Sequence, residues 1–410
     1  MHELVGALRS YAWGSRTALA QLCGRDVPSA HPEAELWFGA HPADPAKILS
    51  DGESRSLLEL LETDPARELG SVAPEFGGRL PFLLKILAAE EPLSLQAHPS
   101  AAQARSGFDR ENHARVPLDS PMRNYRDDSH KPELVVALDR FEALAGFRDP
   151  LRTVELLESL AVPELTPYAE LLAAQPDAGG LRTLFTTWIT LPQTALATLL
   201  PKVLDGCVRY LKQTDPESPR QPKEFAAEAQ TTLELAEGYP GDAGVLAALL
   251  LNRLTLEPGQ GLFLDAGSLH AYLRGIGVEI MANSDNVLRG GLTPKHVDVP
   301  ELLRVLDFEP LRLPIIEPEP VGPGSYRYRT PAPEFALRRF ELDADGDEVA
   351  IPRTGPGIML VTAGTVRLSQ GGTELSVTAG SAAWISAADT DIRAAAVDGP
   401  AQLFCACVGE

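Results

Sequence analysis

Three short segments hold most of the side chains able to do chemistry. The first is His270 to Lys295, HAYLRGIGVEIMANSDNVLRGGLTPK, where Glu279, Asp285, Arg289 and Lys295 are interleaved with Val278, Ile280, Met281, Val287 and Leu288. Apolar residues so placed must sit inside. Polar groups carried in with them need partners, because uncompensated burial costs several kcal/mol. The segment is therefore expected to line a ligand pocket, and Gly290 and Gly291 let the backbone approach a ligand closely. The second segment is LSLQAHP, residues 93–99, in which Ser94, Gln96 and His98 fall on one face of an extended strand. The third is DDSHKPELVVALD, in which His130 precedes Lys131 and Glu133. Lys131 and Glu133 share a face, and Pro132 holds Lys131 extended.

Gln96, His98, Glu133 and His270 together offer two imidazoles, one carboxylate and one amide oxygen, with no thiolate. That donor set suits a borderline divalent metal: zinc first, with cobalt, manganese and iron as alternatives and the glutamine an unusual zinc ligand. Arg289 and Lys295 supply fixed positive charge for a phosphate or for an oxyanion that develops during reaction. Tyr272 shares the face of His270, and Glu279 is either a carboxylate supporting the metal ligands or the partner of an arginine. Each motif alone has an ordinary reading: a solvated strand face, a Lys–Glu pair at a strand entrance, a hydrogen-bonded core histidine. Gly275 and Gly277 lack the third glycine of a dinucleotide-binding loop, and there is no phosphate-loop lysine, so nucleotide binding has no support. The four cysteines form no C-x-x-C pair and read as small buried residues of a reducing compartment.

The elements that must position these groups follow from the remaining pattern. A chain of 410 residues implies two or three domains, and 44% apolar with 23% charged residues is the composition of a soluble globular protein. A net charge of −21 argues against nucleic acid or an anionic membrane as partner, so an anionic substrate must be caught by a locally basic pocket. The opening MHELVGALRSYAWGS has neither the basic nor the apolar region of a signal peptide, and no apolar run reaches membrane-spanning length; a cytoplasmic location is expected. Residues 1 to about 145 read as short strands, among them LPFLLKIL. Residues 150 to 240 carry apolar positions three and four apart and read as amphipathic helices, with DPESPRQP as a loop between two of them. Strands return near 245, PELLRVLDF reads as a short helix, and the proline-rich 315–334 reads as an exposed linker.

An internal repeat bears on the architecture. TLEPGQGLFLDAG (255–267) aligns without gaps on SVTAGSAAWISAA (376–388), placing Gly259 on Gly380 and Phe263 on Trp384. A turn glycine before an apolar strand recurs in double-stranded β-helix barrels, the cupins and jelly rolls. Two barrels are therefore expected, and since His296 is the last histidine, the chemistry is assigned to the first.

The chain closely resembles the zinc-dependent type I mannose-6-phosphate isomerases of the cupin superfamily. The resemblance rests on YAWGS (11–15), ELWFGAHP (35–42), PFLLKIL (81–87), LSLQAHP (93–99), HKPE (130–133), LEPGQGLFLDAGSLHAYLRG (256–275) and VEIMANSDNVLRGGLTPKHVDVPELL (278–303). It implies a mainly β fold: a catalytic cupin barrel from 1–149 and 244–320, a helical insertion at 150–243, and a C-terminal jelly-roll barrel at 321–410 without metal ligands. It implies one zinc per chain on Gln96, His98, Glu133 and His270; an active-site lysine at Lys131 and arginine at Arg289; pocket positions at Ser94, Tyr272, Glu279, Asp285 and Lys295; and a ring-opening or proton-transfer histidine at His130. The implied reaction interconverts mannose 6-phosphate and fructose 6-phosphate through a cis-enediol, with Glu279, Asp285, His130 and Lys131 all candidates for the base. A monomer is expected. The alternatives are a non-catalytic sugar-phosphate-binding cupin and a cupin metallo-oxygenase.

Overall fold

The structure is a computed structural model that describes all residues except 51, 214–222, 312–314, 345 and 410. The expected loop DPESPRQP, residues 215–222, lies outside the described residues. The chain is mostly β with helices, and its described strands form two eleven-stranded sheets. Among the described residues no helix is long and apolar enough to cross a membrane.

One sheet has the path Ile315–Ile316, Gly261–Leu264, Glu133–Ala137, His270–Ala282, Phe82–Ala89, Glu35–Phe38 and Ala7–Arg9. Leu95–Ala97, Phe141–Phe147, Leu251–Leu256 and Leu288–Gly291 attach beside it. Alternation gives its strands two faces with separate tasks. Along Phe82–Ala89 the side chains of Phe82, Leu84, Ile86 and Ala88 pack against Ile358, Leu360, Trp384 and Phe404 of the second sheet. The intervening Leu83, Lys85 and Leu87 face the other way, the side on which Glu133, Glu279 and Met281 also lie. Both faces are covered, so the strand is apolar throughout except for that one lysine.

The strand His270–Ala282 ties the site together because it changes partners along its length. Its first residues pair with Phe141–Phe147 and with Gln96, and its second half pairs with Phe82–Ala89 and Glu133–Ala137. The change comes at Gly275, whose φ is +132°, and a Cβ there would meet the Phe141 backbone at 2.8 Å. Only glycine fits both demands.

The helical run agrees with its sequence pattern. Pro150–Ser159, Thr166–Ala174, Ala178–Ile189, Gln193–Lys212 and Ala226–Gly238 follow one another and bury Leu157, Leu184, Trp188, Val203 and Leu235. The short helix expected within 300–308 spans Val299–Val305. The repeat recurs as structure too: Gly259 and Gly380 have φ +89° and +81°, and the strands Gly261–Leu264 and Ala382–Ile385 follow each at the same offset.

Three expectations need correction. The stretch 315–334 is not a free linker: Glu319–Gly322 and Ser325–Tyr328 form a hairpin on the edge of the second sheet, and Tyr328 is buried with its hydroxyl on the Gly259 carbonyl. Edge strands tolerate proline, so a proline-rich stretch is compatible with pairing. Residues 1–145 are not strands alone but include the helices Ala18–Leu22, Leu57–Thr63, Pro65–Leu69 and Ala101–His113. Nor do residues 1–149 pair as one unit, because His2–Val5, Lys47–Ser50 and Glu53–Ser56 join the second, mainly C-terminal sheet.

Candidate active site

Three side chains converge between the strands. His98 Nε2 lies 3.3 Å from Glu133 Oε1, and His270 Nε2 lies 3.5 Å from Glu133 Oε2. The ligand atoms of His98, Glu133 and His270 all fall within 4.8 Å of one another, and all three residues are buried. The chain builds this by local rules. His270 opens its strand, Glu133 opens the strand beside it, and His98 follows Leu95–Ala97. Pro99 and the capping box of Ser100 and Gln103 then start the helix Ala101–His113, ending the extended segment directly after His98.

The hydrogen bonds of the two rings define what they offer. His98 Nδ1–H donates to the Asn286 carbonyl at 2.7 Å, and His270 Nδ1–H donates to the Ser268 carbonyl at 3.0 Å. Each neutral ring therefore turns the lone pair of Nε2 inward, and both Nε2 atoms are buried without a hydrogen-bond partner. Burial lowers the His98 pKa to about 4, which keeps that ring neutral at pH 7. Burial opposes ionisation of Glu133, but Lys131 and His98 outweigh it and hold its pKa well below the usual range. Two lone pairs aimed at a carboxylate make a cation site, and the donor set fits zinc. Gln96 lies alongside by register: it sits opposite His270 on one side and opposite Arg289 on the other.

A buried charge network lies behind the three ligands. Lys85 Nζ is 3.1 Å from Glu279 Oε2 and 3.6 Å from Glu35 Oε1, and Lys131 Nζ is 2.8 Å from Glu133 Oε1. Tyr272 donates its hydroxyl to Glu279 Oε1 at 2.7 Å, and the Trp37 indole N–H donates to Glu35. Burial works against the charge on Lys85, but Glu35 and Glu279 outweigh it and raise its pKa. Burial raises the pKa of Glu279 despite Lys85, with Glu133 and Glu35 adding to the rise. Three buried carboxylates thus share two buried lysines, leaving one negative charge for a bound cation to neutralise. Replacing Lys85 with Met should cost about 3–5 kcal/mol of stability by stranding Glu279 and Glu35. Urea unfolding of Lys85→Met checks this, and a loss below 1 kcal/mol would contradict the network.

A second charge cluster sits by Leu288–Gly291. Burial lowers the Arg289 pKa, with Arg126 adding to it, and burial followed by Arg289 and Arg126 lowers that of Lys295. Arg289 is half-buried, whereas Arg126 and Lys295 are exposed. Among the described residues none of the three side chains has a hydrogen-bond or ion-pair partner. Like charges gathered with their side-chain donors unpaired are a ready anion site.

The remaining expected residues are placed as follows. Ser94 is half-buried just before the Gln96 strand. Asp285 is exposed, 3.4 Å from His41 Nε2. His130 turns away from Lys131 and meets Glu334 at 2.6 Å, as the alternation of an extended chain requires. The hydroxyl of Tyr272 is occupied by Glu279. Sequence reasoning missed Lys85, Glu35, Trp37, His41, Arg126 and Asn286. Lys85 had a visible signal, as the one charge inside PFLLKIL. Asn286 is fully buried; it accepts from the Arg126 and Asp127 N–H groups and donates to the Ser129 carbonyl, tying that loop to His98.

Comparison with known proteins agrees with this geometry. Residues 1–150 match the family model described as phosphomannose isomerase type I, catalytic domain. The chain is 37% identical over 398 residues to the mannose-6-phosphate isomerase of Escherichia coli (strain K12), covering 96% of each chain. It is 34% identical over 387 residues to that of Homo sapiens, covering 88% of this chain and 86% of the relative. A solved mannose 6-phosphate isomerase with zinc bound superposes with a TM-score of 0.88 at 35% identity, over 100% of this chain and 99% of the other. A mutant phosphomannose isomerase from Salmonella typhimurium gives 0.89 at 35% identity, over 100% of both. The chain belongs to the type I mannose-6-phosphate isomerase family.

Proposed function

We propose that the protein is a zinc-dependent aldose–ketose isomerase that interconverts mannose 6-phosphate and fructose 6-phosphate. The observation that carries this reading is the pair of inward-facing, unpartnered Nε2 atoms against Glu133, in a site that also holds an unpaired cationic cluster. A metallo-oxygenase does not account for that cluster, and a binding protein does not account for the buried carboxylate network behind the metal ligands.

Gln96, His98, Glu133 and His270 would hold the zinc, which polarises the sugar oxygens at carbon-1 and carbon-2 when bound. Arg126 and Lys295 receive the phosphate, and Ser94 donates its hydroxyl to the substrate. Arg289 lies two strand spacings, about 10 Å, from His270 along one cross-strand row, so its guanidinium bridges the phosphate end and the reacting end. It stays charged throughout and stabilises the enediolate. Glu279 is the base: burial raises its pKa, and Tyr272 and Lys85 hold it in place. It takes the proton from carbon-2 of the opened sugar and returns it to carbon-1. Lys131, held on Glu133, orients the ligand set, and Asp285 accepts a sugar hydroxyl at the mouth.

The same reading makes each sheet region a double-stranded β-helix barrel of the cupin kind: a catalytic barrel from 1–149 and 244–320 apart from the strands His2–Val5, Lys47–Ser50 and Glu53–Ser56, a helical insertion at 150–243, and a C-terminal barrel at 321–410 that those three strands join. Support comes from the repeated glycine-and-strand unit and from the separate apolar interior around Met359, Val366, Leu368 and Leu403. The same reading takes the protein as a cytoplasmic monomer. Incubating the purified protein with fructose 6-phosphate in deuterium oxide tests the reaction. Mannose 6-phosphate is expected, with deuterium at carbon-2 to the extent that the proton on the base exchanges with solvent before it is returned, and absence of any aldose product would end the isomerase reading.

A further inference from the structure

We propose that His41 is a positioning residue that holds the Asp285 carboxylate as a hydroxyl acceptor for the substrate; this rests on the isomerase reading above. His41 is 4% exposed, and its ring meets the Trp37 ring edge-on at 5.1 Å. Its Nδ1 accepts from the Ala43 N–H at 3.2 Å, so the neutral ring carries its proton on Nε2. That nitrogen faces Asp285 Oδ1 at 3.4 Å. The main chain of Asp285 is pinned as well: its N–H donates to Asp127 Oδ2 at 2.8 Å, and the neighbouring Ser284 hydroxyl donates to Asp127 Oδ1 at 2.8 Å.

The Asp285 side chain nevertheless keeps 48% of its exposure. A surface carboxylate held by a buried imidazole and fixed at its own amide has lost its freedom before any ligand arrives. Such pre-organisation reduces the cost of ordering when a ligand binds. Lys131 and Arg126 act electrostatically on the same carboxylate, and the next residue, Asn286, accepts the His98 N–H on its carbonyl. A sugar phosphate held at both ends would present its hydroxyls there. Because His41 is screened from that space by burial, its effect passes through Asp285 rather than by touching substrate.

Steady-state kinetics of the zinc-loaded enzyme test the proposal, using His41→Leu, His41→Gln, Asp285→Asn and the double variant His41→Leu/Asp285→Asn. His41→Leu should raise KM for mannose 6-phosphate about tenfold, with kcat within about threefold and zinc content unchanged. Gln places an amide N–H near the position of Nε2, so His41→Gln should recover most of the loss. Asp285→Asn should raise KM at least as far, and the double variant should add little to it, as residues acting as a unit do. An unchanged KM in His41→Leu would overturn the proposal, as would additive effects in the double variant. Loss of folding in His41→Leu would leave His41→Gln and Asp285→Asn to decide, and a normal KM in Asp285→Asn would overturn it. The parent enzyme assayed alongside reports separately on the isomerase reading: no turnover there refutes that reading instead.

Discussion

Arg289→Ala should lower kcat roughly a hundred- to a thousandfold while leaving zinc bound at one equivalent. The size follows from removing a donor aimed at charge that develops only in the transition state. Metal retention follows from geometry, because Arg289 neighbours Gln96 in register but stands apart from the buried cluster of His98, Glu133 and His270. Arg289→Lys should recover little, since a point charge on a flexible stem does not reproduce a planar fork. Steady-state rates with metal analysis of the same samples check both halves. Near-normal turnover would remove Arg289 from its assigned role, and lost zinc would make it a structural support of the metal ligands.

His98→Ala should lose metal and activity together. The imidazole is held by the Asn286 carbonyl and contributes one of two inward lone pairs, so its removal leaves His270 and Glu133 as the only buried ligands from the cluster. Zinc should fall to below about a tenth of an equivalent after gel filtration, with turnover at background. Stoichiometric, tightly held zinc in this variant would take His98 out of the ligand set. The two variants thus separate charge stabilisation from metal binding: one is inactive with metal, the other inactive without it.

Much of the site was legible because strand alternation is a short-range rule. Gln96 with His98, and Lys131 with Glu133, are two residues apart, and alternation alone puts each pair on one face. By the same rule His130 has the opposite parity to Lys131, and it reaches Glu334. The helical run was readable from its period, and its longest helix tolerates Pro201 inside. Long-range pairing was not readable. Nothing local in HELV announces that it pairs with Ala382–Ile385, or that the proline-rich stretch before residue 330 forms a hairpin. Lys85 showed only as a lone charge in an apolar run, and the roles of Lys85 and His41 were hidden for a related reason. Each takes its meaning from a partner far along the chain, Glu279 for one and Asp285 for the other, and a single sequence carries no record of that pairing.

The most direct test of the account is a zinc titration of the metal-free protein, following conversion of mannose 6-phosphate to fructose 6-phosphate at each addition. Activity should be absent at the start, rise linearly, and reach a plateau at one zinc per chain, because the inward lone pairs and Glu133 form one site. Full activity in the thoroughly metal-free protein, or a plateau only after several equivalents, would contradict the claim that this single buried cluster makes the enzyme.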